Sequence, residues 1–120
     1  MSKAEKLLKQ KRELIEFDYT NEEECLKAVK DQGEQIQYIE NPTEEMCLEA
    51  VNSFPLSLEF IMEQTPEICL AAVQQDGLAL QSVINKTPEI CLAAIEQNEY
   101  AIQYVPDEMI PEVAKLLEQQ

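Results

Sequence analysis

The stretch Thr65-Pro66-Glu67-Ile68-Cys69-Leu70-Ala71-Ala72 returns, letter for letter, as Thr87-Pro88-Glu89-Ile90-Cys91-Leu92-Ala93-Ala94, which is 22 residues further on. The same offset relates Cys69 to Cys47 and Cys47 to Cys25, so every cysteine occupies one position of a fourfold repeat. A fixed period of roughly 20 to 50 residues is typical of proteins that are built from stacked units. The repeat therefore predicts an array of four units.

Each unit opens on a residue that is suited to begin a helix, namely Asn21, Thr43, Thr65 and Thr87. The side-chain oxygens of these residues can accept hydrogen bonds from the free backbone N–H groups of the first turn. In units three and four a proline follows, and its fixed φ suits the first position of a helix. A first helix of about ten residues is then predicted, with an apolar face at positions i, i+1, i+4 and i+5. This face is Ile68, Cys69, Ala72 and Val73 in unit three, Met46, Cys47, Ala50 and Val51 in unit two, and Ile90, Cys91, Ala94 and Ile95 in unit four.

A break follows each first helix, at Gly33, Pro55, Gly77 and Glu99. We expect the glycines to supply the positive φ of a helix C-cap and Asn98 to take the left-handed conformation in unit four. A second, shorter helix should follow, with apolar residues three apart. The pairs are Ile36 and Ile39, Leu58 and Ile61, Leu80 and Val83, and Ile102 and Val105. Because helices this short are not stable alone, the sequence predicts an all-α fold, a short α-solenoid of four two-helix repeats with capping helices at both ends.

Three segments follow from this pattern. Residues 1–18 are predicted to form an N-terminal amphipathic helix that begins with a capping box at Ser2 and Glu5, and residues 19–106 hold the four helical-hairpin repeats. Residues 107–120 follow a break in the period and form a C-terminal capping helix from about Pro111. We expect the N-terminal helix to cap the array, and the alternatives are a dimer helix or a partner-binding helix.

The charge of the chain is strongly negative and unevenly distributed. The net charge is −15, and residues 19–120 alone carry four basic and 20 acidic groups. Such a surface repels nucleic acid and anionic membranes and attracts basic proteins, with an attraction that falls as salt rises. The sequence shows neither a signal peptide nor an apolar run of membrane-spanning length, and cysteines on adjacent stacked helices should lie too far apart for disulfides. We therefore expect a reduced cytoplasmic protein.

The residue types that enzymes use are largely missing. Histidine is absent, the cysteines lack the CxxC spacing of a zinc site, and no glycine-rich phosphate loop is present. We therefore predict no catalytic residue, no metal site and no cofactor. The four cysteines are interpreted as a small apolar core position that recurs because the packing recurs.

Two repeat positions are candidates for a protein-binding surface. The first is aromatic in three units, at Tyr38, Phe60 and Tyr104, and the second is a row of glutamates at the start of the first helices, including Glu45, Glu67 and Glu89. Aromatic side chains are favoured anchors in interfaces, although these could be partly buried between second helices. The glutamates could equally be a solvated row at the positive ends of the helices. Two further hypotheses for the whole chain are a nucleic-acid mimic and a homo-oligomeric structural module.

Units such as Thr65 to Gln81 resemble the short α-helical repeats of unknown function that occur in bacterial, phage and giant-virus proteins. The resemblance covers residues 21–105 and is strongest in units three and four. A small acidic stack of these repeats is similar to phage proteins that disarm bacterial defence systems, in particular inhibitors of defence-associated sirtuins, which are large NAD-depleting enzymes. The resemblance implies that such a host enzyme is the partner and that the chain acts by inhibition in the host cytoplasm. The partner is then expected to be a larger host protein with a basic or apolar groove, and the negative charge of the chain predicts that neither nucleic acid nor a membrane is bound.

Overall fold

The computed structural model describes residues 2–6 and 21–120, and these residues form helices and no strand. Residues 3–6 are helical, and the backbone N–H of Glu5 donates to Ser2 Oγ at 3.2 Å. Ser2 is therefore an N-cap, as predicted. The rest of the predicted N-terminal helix, residues 7–18, lies outside the described residues.

From residue 21 onward, ten-residue α-helices alternate with six-residue 3-10 helices. The α-helices are α1 (Glu22–Asp31), α2 (Glu44–Ser53), α3 (Pro66–Gln75) and α4 (Pro88–Gln97). The 3-10 helices are η1 (Gly33–Tyr38), η2 (Pro55–Phe60), η3 (Gly77–Ser82) and η4 (Glu99–Tyr104). A short η5 (Asp107–Met109) and a final α5 (Ile110–Glu118) complete the described chain.

The units stack in two layers, one of α-helices and one of 3-10 helices. Each α-helix packs against the α-helix of the next unit, and η1, η2 and η3 each pack against the next 3-10 helix and the next α-helix. Because every unit contacts its neighbours in sequence, the architecture is a short all-α solenoid, as predicted.

The predicted N-caps are all present. The side-chain oxygens of Asn21, Thr43, Thr65 and Thr87 accept from the backbone N–H three residues later at 3.2 to 3.3 Å. The Thr65 hydroxyl also donates to Glu44 Oε1 at 3.1 Å, so this cap connects unit three to unit two. Pro66 and Pro88 occupy the first positions of α3 and α4, where a missing N–H costs no hydrogen bond.

The core is formed by the predicted faces of the α-helices. Every residue predicted for these faces in units two, three and four is buried, except Ile95, which is half-buried. The four cysteines form no disulfide, each is at most 3% exposed, and they recur along the α-helical layer. Their interpretation as small apolar core residues is confirmed.

The breaks between the two helices of a unit differ from the prediction. Neither Gly33 nor Gly77 has a positive φ, and the φ of Asn98 is −152°, which is extended rather than left-handed. The prediction of left-handed C-caps is therefore wrong. The Asn98 side chain instead begins η4, since its Oδ1 accepts from the backbone N–H of Tyr100 at 3.0 Å.

The two glycines are required by the approach of the following unit. A Cβ at Gly33 would lie 2.2 Å from the carbonyl oxygen of Ala50, and a Cβ at Gly77 would lie 2.3 Å from that of Ala94. Each oxygen belongs to the next α-helix, so the missing side chain lets consecutive units approach closely. The glycine N–H groups also cross the junction, from Gly33 to Ser53 Oγ at 3.2 Å and from Gly77 to Gln97 Oε1.

The junction between units two and three is built differently, because Pro55 at this position has no N–H to donate. Gln75 occupies the repeat position of Ser53 and Gln97, which accept from the glycine N–H groups. With no N–H at Pro55, the Gln75 amide group bonds to other atoms of unit two. Its Nε2 donates to Asn52 Oδ1 at 2.8 Å and to the Val51 carbonyl at 3.3 Å. Units two and three therefore remain connected through a side-chain amide.

The C-terminal helix keeps the register of the repeat, although the intervening sequence does not. Val113 follows Cys91 by one full period and is likewise buried, so α5 is the first helix of an incomplete fifth unit. The helix begins at Ile110, one residue before the predicted start. It packs against α4 but not appreciably against η4, and Ile102 of η4 is 57% exposed although its counterparts in earlier units are buried.

Candidate protein-binding surfaces

The six residues predicted as contacts do not lie on one surface. Tyr38 is 59% exposed, whereas Phe60 and Tyr104 are half-buried and pack against the core. The three glutamates, Glu45, Glu67 and Glu89, are exposed at the second positions of α2, α3 and α4. Phe60 lines one groove, and Glu45 and Glu67 line another.

The first groove, here called the edge groove, runs along the N-terminal ends of α2 and α3 and has a volume of about 870 Å³. Phe60 and Met62 provide apolar walls, and Glu44 and Glu63 also line it. The Met62 side chain is 79% exposed, the largest exposed fraction among the large hydrophobic residues described. The groove thus combines an accessible apolar side chain with two carboxylates.

Gln64 fixes the shape of the edge groove, which it also lines. Its Nε2 donates to the carbonyl of Ser82 in the next unit at 2.9 Å and to those of Leu58 and Ile61 at 3.2 and 3.1 Å. Its Oε1 accepts from the backbone N–H of Ile84 at 2.9 Å. One amide therefore ties together the 3-10 layers of units two and three beside Met62.

The second groove, here called the outer groove, lies between α2 and α3 and has a volume of about 670 Å³. Half-buried Leu48 and Leu70 line it together with Glu45, Glu49 and Glu67. Two of the predicted glutamates are thus brought together, beside an apolar surface. Glu89 recurs one unit further along and does not line this groove.

The charge around both grooves is of one sign. Residues 31–85, which include the whole second helix of unit one, all of unit two, and unit three up to Asn85, carry ten acidic groups and no lysine or arginine. Because no basic side chain of this segment balances these carboxylates, the electrostatic potential over this part of the surface is more negative. A partner with lysine or arginine side chains would therefore be attracted to this part of the chain.

Sequence reasoning missed Met62 and Ile84, which share one repeat position in the loops after η2 and η3. Ile84 is 56% exposed, and the same position is Glu40 in unit one and Pro106 after unit four. The available signal was an apolar side chain in a loop at a position that is otherwise polar or proline. The repeat alignment could have singled it out in the same way as the aromatic position.

Cys47 lines the edge groove but is not a nucleophile at neutral pH. Burial, and then the negative charges of Glu44 and Glu63, raise the pKa of its thiol to about 11. Since the thiolate is the reactive form, the thiol remains protonated and inert. Among the described residues, no cluster of three or more histidine, cysteine, aspartate or glutamate side chains has the arrangement to hold a metal ion.

Residues 65–110 match the sequence profile of a family described as "Domain of unknown function (DUF4116)". The match covers units three and four and the beginning of α5, and for these residues it agrees with the resemblance to a family of unknown function. No curated protein and no solved structure matches the chain. Among the described helices, none combines the length and the hydropathy that crossing a membrane requires.

Proposed function

We propose that this chain is an acidic protein-binding module whose edge groove receives an apolar and basic part of a larger protein. The observation that carries the proposal is Met62, which is 79% exposed in a groove of about 870 Å³ that Glu44 and Glu63 also line. An apolar anchor in a groove with a charged rim has the composition of a protein interface. The solenoid supplies the rigid surface, and binding rather than catalysis is the activity.

The resemblance in sequence supports a more specific form of this proposal. Small acidic arrays of such repeats are similar to phage proteins that inhibit bacterial defence enzymes, so the proposed partner is a NAD-depleting enzyme of the defence-associated sirtuin type. Inhibition would follow from occupying a surface that the enzyme needs for activation or catalysis. The chain itself would need no cofactor for this role.

The proposal can be tested by mixing the purified chain with a purified defence-associated sirtuin and measuring NAD consumption and complex formation by gel filtration. We expect a stable complex at low salt, loss of NAD consumption, and an affinity that falls as salt is raised. Met62→Asp should weaken the complex by about tenfold or more, because it places a third carboxylate at the apolar anchor.

Ile84→Asp is the matched control, since it makes the same change at the same repeat position of the next unit, outside the edge groove. It should leave the affinity close to that of the wild-type chain. Equal weakening by both variants would argue against the edge groove as the binding surface. Absence of any complex at low salt would refute this enzyme class as the partner.

A further inference from the structure

The end of the 3-10 layer at η4 is an apolar surface that the rest of the solenoid does not cover. Leu58 and Leu80 are fully buried and Ile36 is 2% exposed, whereas Ile102, at the same repeat position, is 57% exposed. Tyr100 is 69% exposed, although its counterparts Leu56 and Leu78 are half-buried. We call this surface the open end and define it by Glu99, Tyr100 and Ile102.

The inner units show what the open end is built to contact. The second helices of the first three units each pack against the next 3-10 helix and the next α-helix, which buries Ile36, Leu58 and Leu80. Unit four has the same apolar position, but among the described residues no further 3-10 helix follows η4 in the stack, and α5 packs on α4 without packing appreciably on η4. The open end therefore continues the interface that holds the units together.

Glu99 does not suit the close packing that the glycines of units one and three allow. It occupies the position of Gly33 and Gly77, which are buried against the carbonyl oxygen of the next α-helix. A glutamate there would have to push its side chain between the layers and lose the hydration of its carboxylate, which is costly without a partner charge. Glu99 instead remains exposed, on the same face of the 3-10 helix as Ile102, because residues three apart align in this helix type.

The charges around the open end indicate the chemistry of its occupant. Residues 98–120 carry five acidic groups and one basic group, Lys115. A second copy placed end to end would oppose one Glu99 to another and bring together two chains of net charge −15. A lysine or arginine beside an apolar side chain would satisfy Glu99 and cover Ile102 and Tyr100 together.

We propose that the open end is a second docking surface, separate from the edge groove, for a protein segment in which apolar side chains lie next to lysine or arginine. The inference rests on the proposed protein-binding function and adds to it a second contact on the same partner or on another. Two surfaces at different places along one rigid array would bind a large partner more tightly than either surface alone.

A random linear peptide library, displayed for selection on the immobilised full chain and depleted on the Ile102→Asp variant, tests the proposal without knowledge of the partner. We expect a pool that is specific for the wild-type chain and enriched in lysine, arginine and large apolar residues. A peptide synthesised from this pool should bind about tenfold or more weakly to Ile102→Asp and to Glu99→Lys, as measured by fluorescence anisotropy. Met62→Asp should leave this affinity unchanged.

Circular dichroism of each variant verifies that the helices are retained, which is expected because Glu99, Ile102 and Met62 are all exposed. The proposal is overturned if no such pool is obtained, if the pool lacks basic residues, or if its peptides bind Ile102→Asp as well as the wild-type chain. Peptides that lose binding to Met62→Asp instead would overturn the open end while supporting the proposed edge groove. A dimer in sedimentation equilibrium that Ile102→Asp abolishes would identify a second copy as the occupant and would also overturn the proposal.

Discussion

Replacing Gly77 with alanine tests the central feature of the fold, the close approach of consecutive units. The added Cβ would lie 2.3 Å from the carbonyl oxygen of Ala94 and 3.1 Å from Gln97 Oε1. The first of these atoms is backbone in the middle of α4, so it cannot move without displacing the helix. The backbone φ of Gly77 is not positive, and alanine could adopt it without local strain.

The expected loss of stability follows from two effects that destabilise the folded chain and one that offsets part of them. Overpacking of a tight contact costs about 1 to 3 kcal/mol, and weakening the hydrogen bond from Gly77 to Gln97 costs about 1 kcal/mol. The reduced entropy of the unfolded chain returns about 0.4 to 1 kcal/mol. The net destabilisation should therefore be about 2 kcal/mol.

Urea unfolding followed by circular dichroism measures this change. With an m-value of about 1 to 2 kcal/mol/M, the midpoint should fall by roughly 1 to 2 M. Glu99→Ala is the matched control, because it changes the same repeat position where no following unit approaches, and it should alter stability by less than about 0.5 kcal/mol. A Gly77→Ala variant as stable as the wild-type chain would refute the reasoning and would mean that α4 can move away from η3 at little cost.

Three further predictions concern single side chains. Ser57 Oγ is buried without a hydrogen-bond partner among the described residues, so Ser57→Ala should raise the free energy of unfolding by about 1 kcal/mol, whereas Ala79→Ser, the same position in unit three, should lower it. The thiol of Cys47 should react with a thiol reagent at neutral pH only upon unfolding. Because burial raises its pKa from 9.0 to about 11, its contribution to stability is complete below pH 9 and is lost as pH rises through 11. Unfolding curves of the wild-type and Cys47→Ala chains, measured across this pH range, check this prediction. Gln64→Ala removes hydrogen bonds between units two and three and should lower the free energy of unfolding by about 1 to 2 kcal/mol, whereas Gln81→Ala removes a bond within one unit and should have a smaller effect in the same assay.

The features that the sequence predicts correctly depend on residues close together in the chain. Thr65 begins α3 because its hydroxyl and the N–H of Ile68 are three residues apart, and this relation is visible in the sequence. The buried face of each α-helix follows from the spacing of its apolar residues, and Cys69 and Cys91 are buried where that spacing places them. The repeat itself then implies that consecutive units stack.

The features that the sequence does not reveal depend on contacts between units. Local rules predict a positive φ at Gly77, which the structure does not show. A glycine is required there because the carbonyl oxygen of Ala94, in the next unit, leaves no room for a Cβ. The 3-10 form of the second helices was not predicted either, because a three-residue spacing such as Leu80 to Val83 suits both helix types. The exposure of Met62 likewise depends on how two loops lie beside each other, which no local pattern specifies.

The positions at which the four units differ are informative because the units otherwise face the same environment. A residue packed between two similar neighbours has the same requirements in every unit, which explains why cysteine recurs four times in the α-helical layer. Met62 departs from Glu40 and Pro106 at its repeat position, and it lies in an accessible groove. Glu99 departs from Gly33, Pro55 and Gly77, and it lies where the stacking of the 3-10 layer stops. Residues that recur at one repeat position do so because they pack against a neighbouring unit. We infer that exposed residues that differ from their counterparts contact something other than a neighbouring unit. Both proposed docking surfaces are centred on such departures. Met62→Glu, which introduces the residue found at Glu40, should therefore weaken binding at the edge groove, and Glu99→Gly, which introduces the residue found at Gly33 and Gly77, should weaken binding at the open end. Both substitutions leave the repeated core intact.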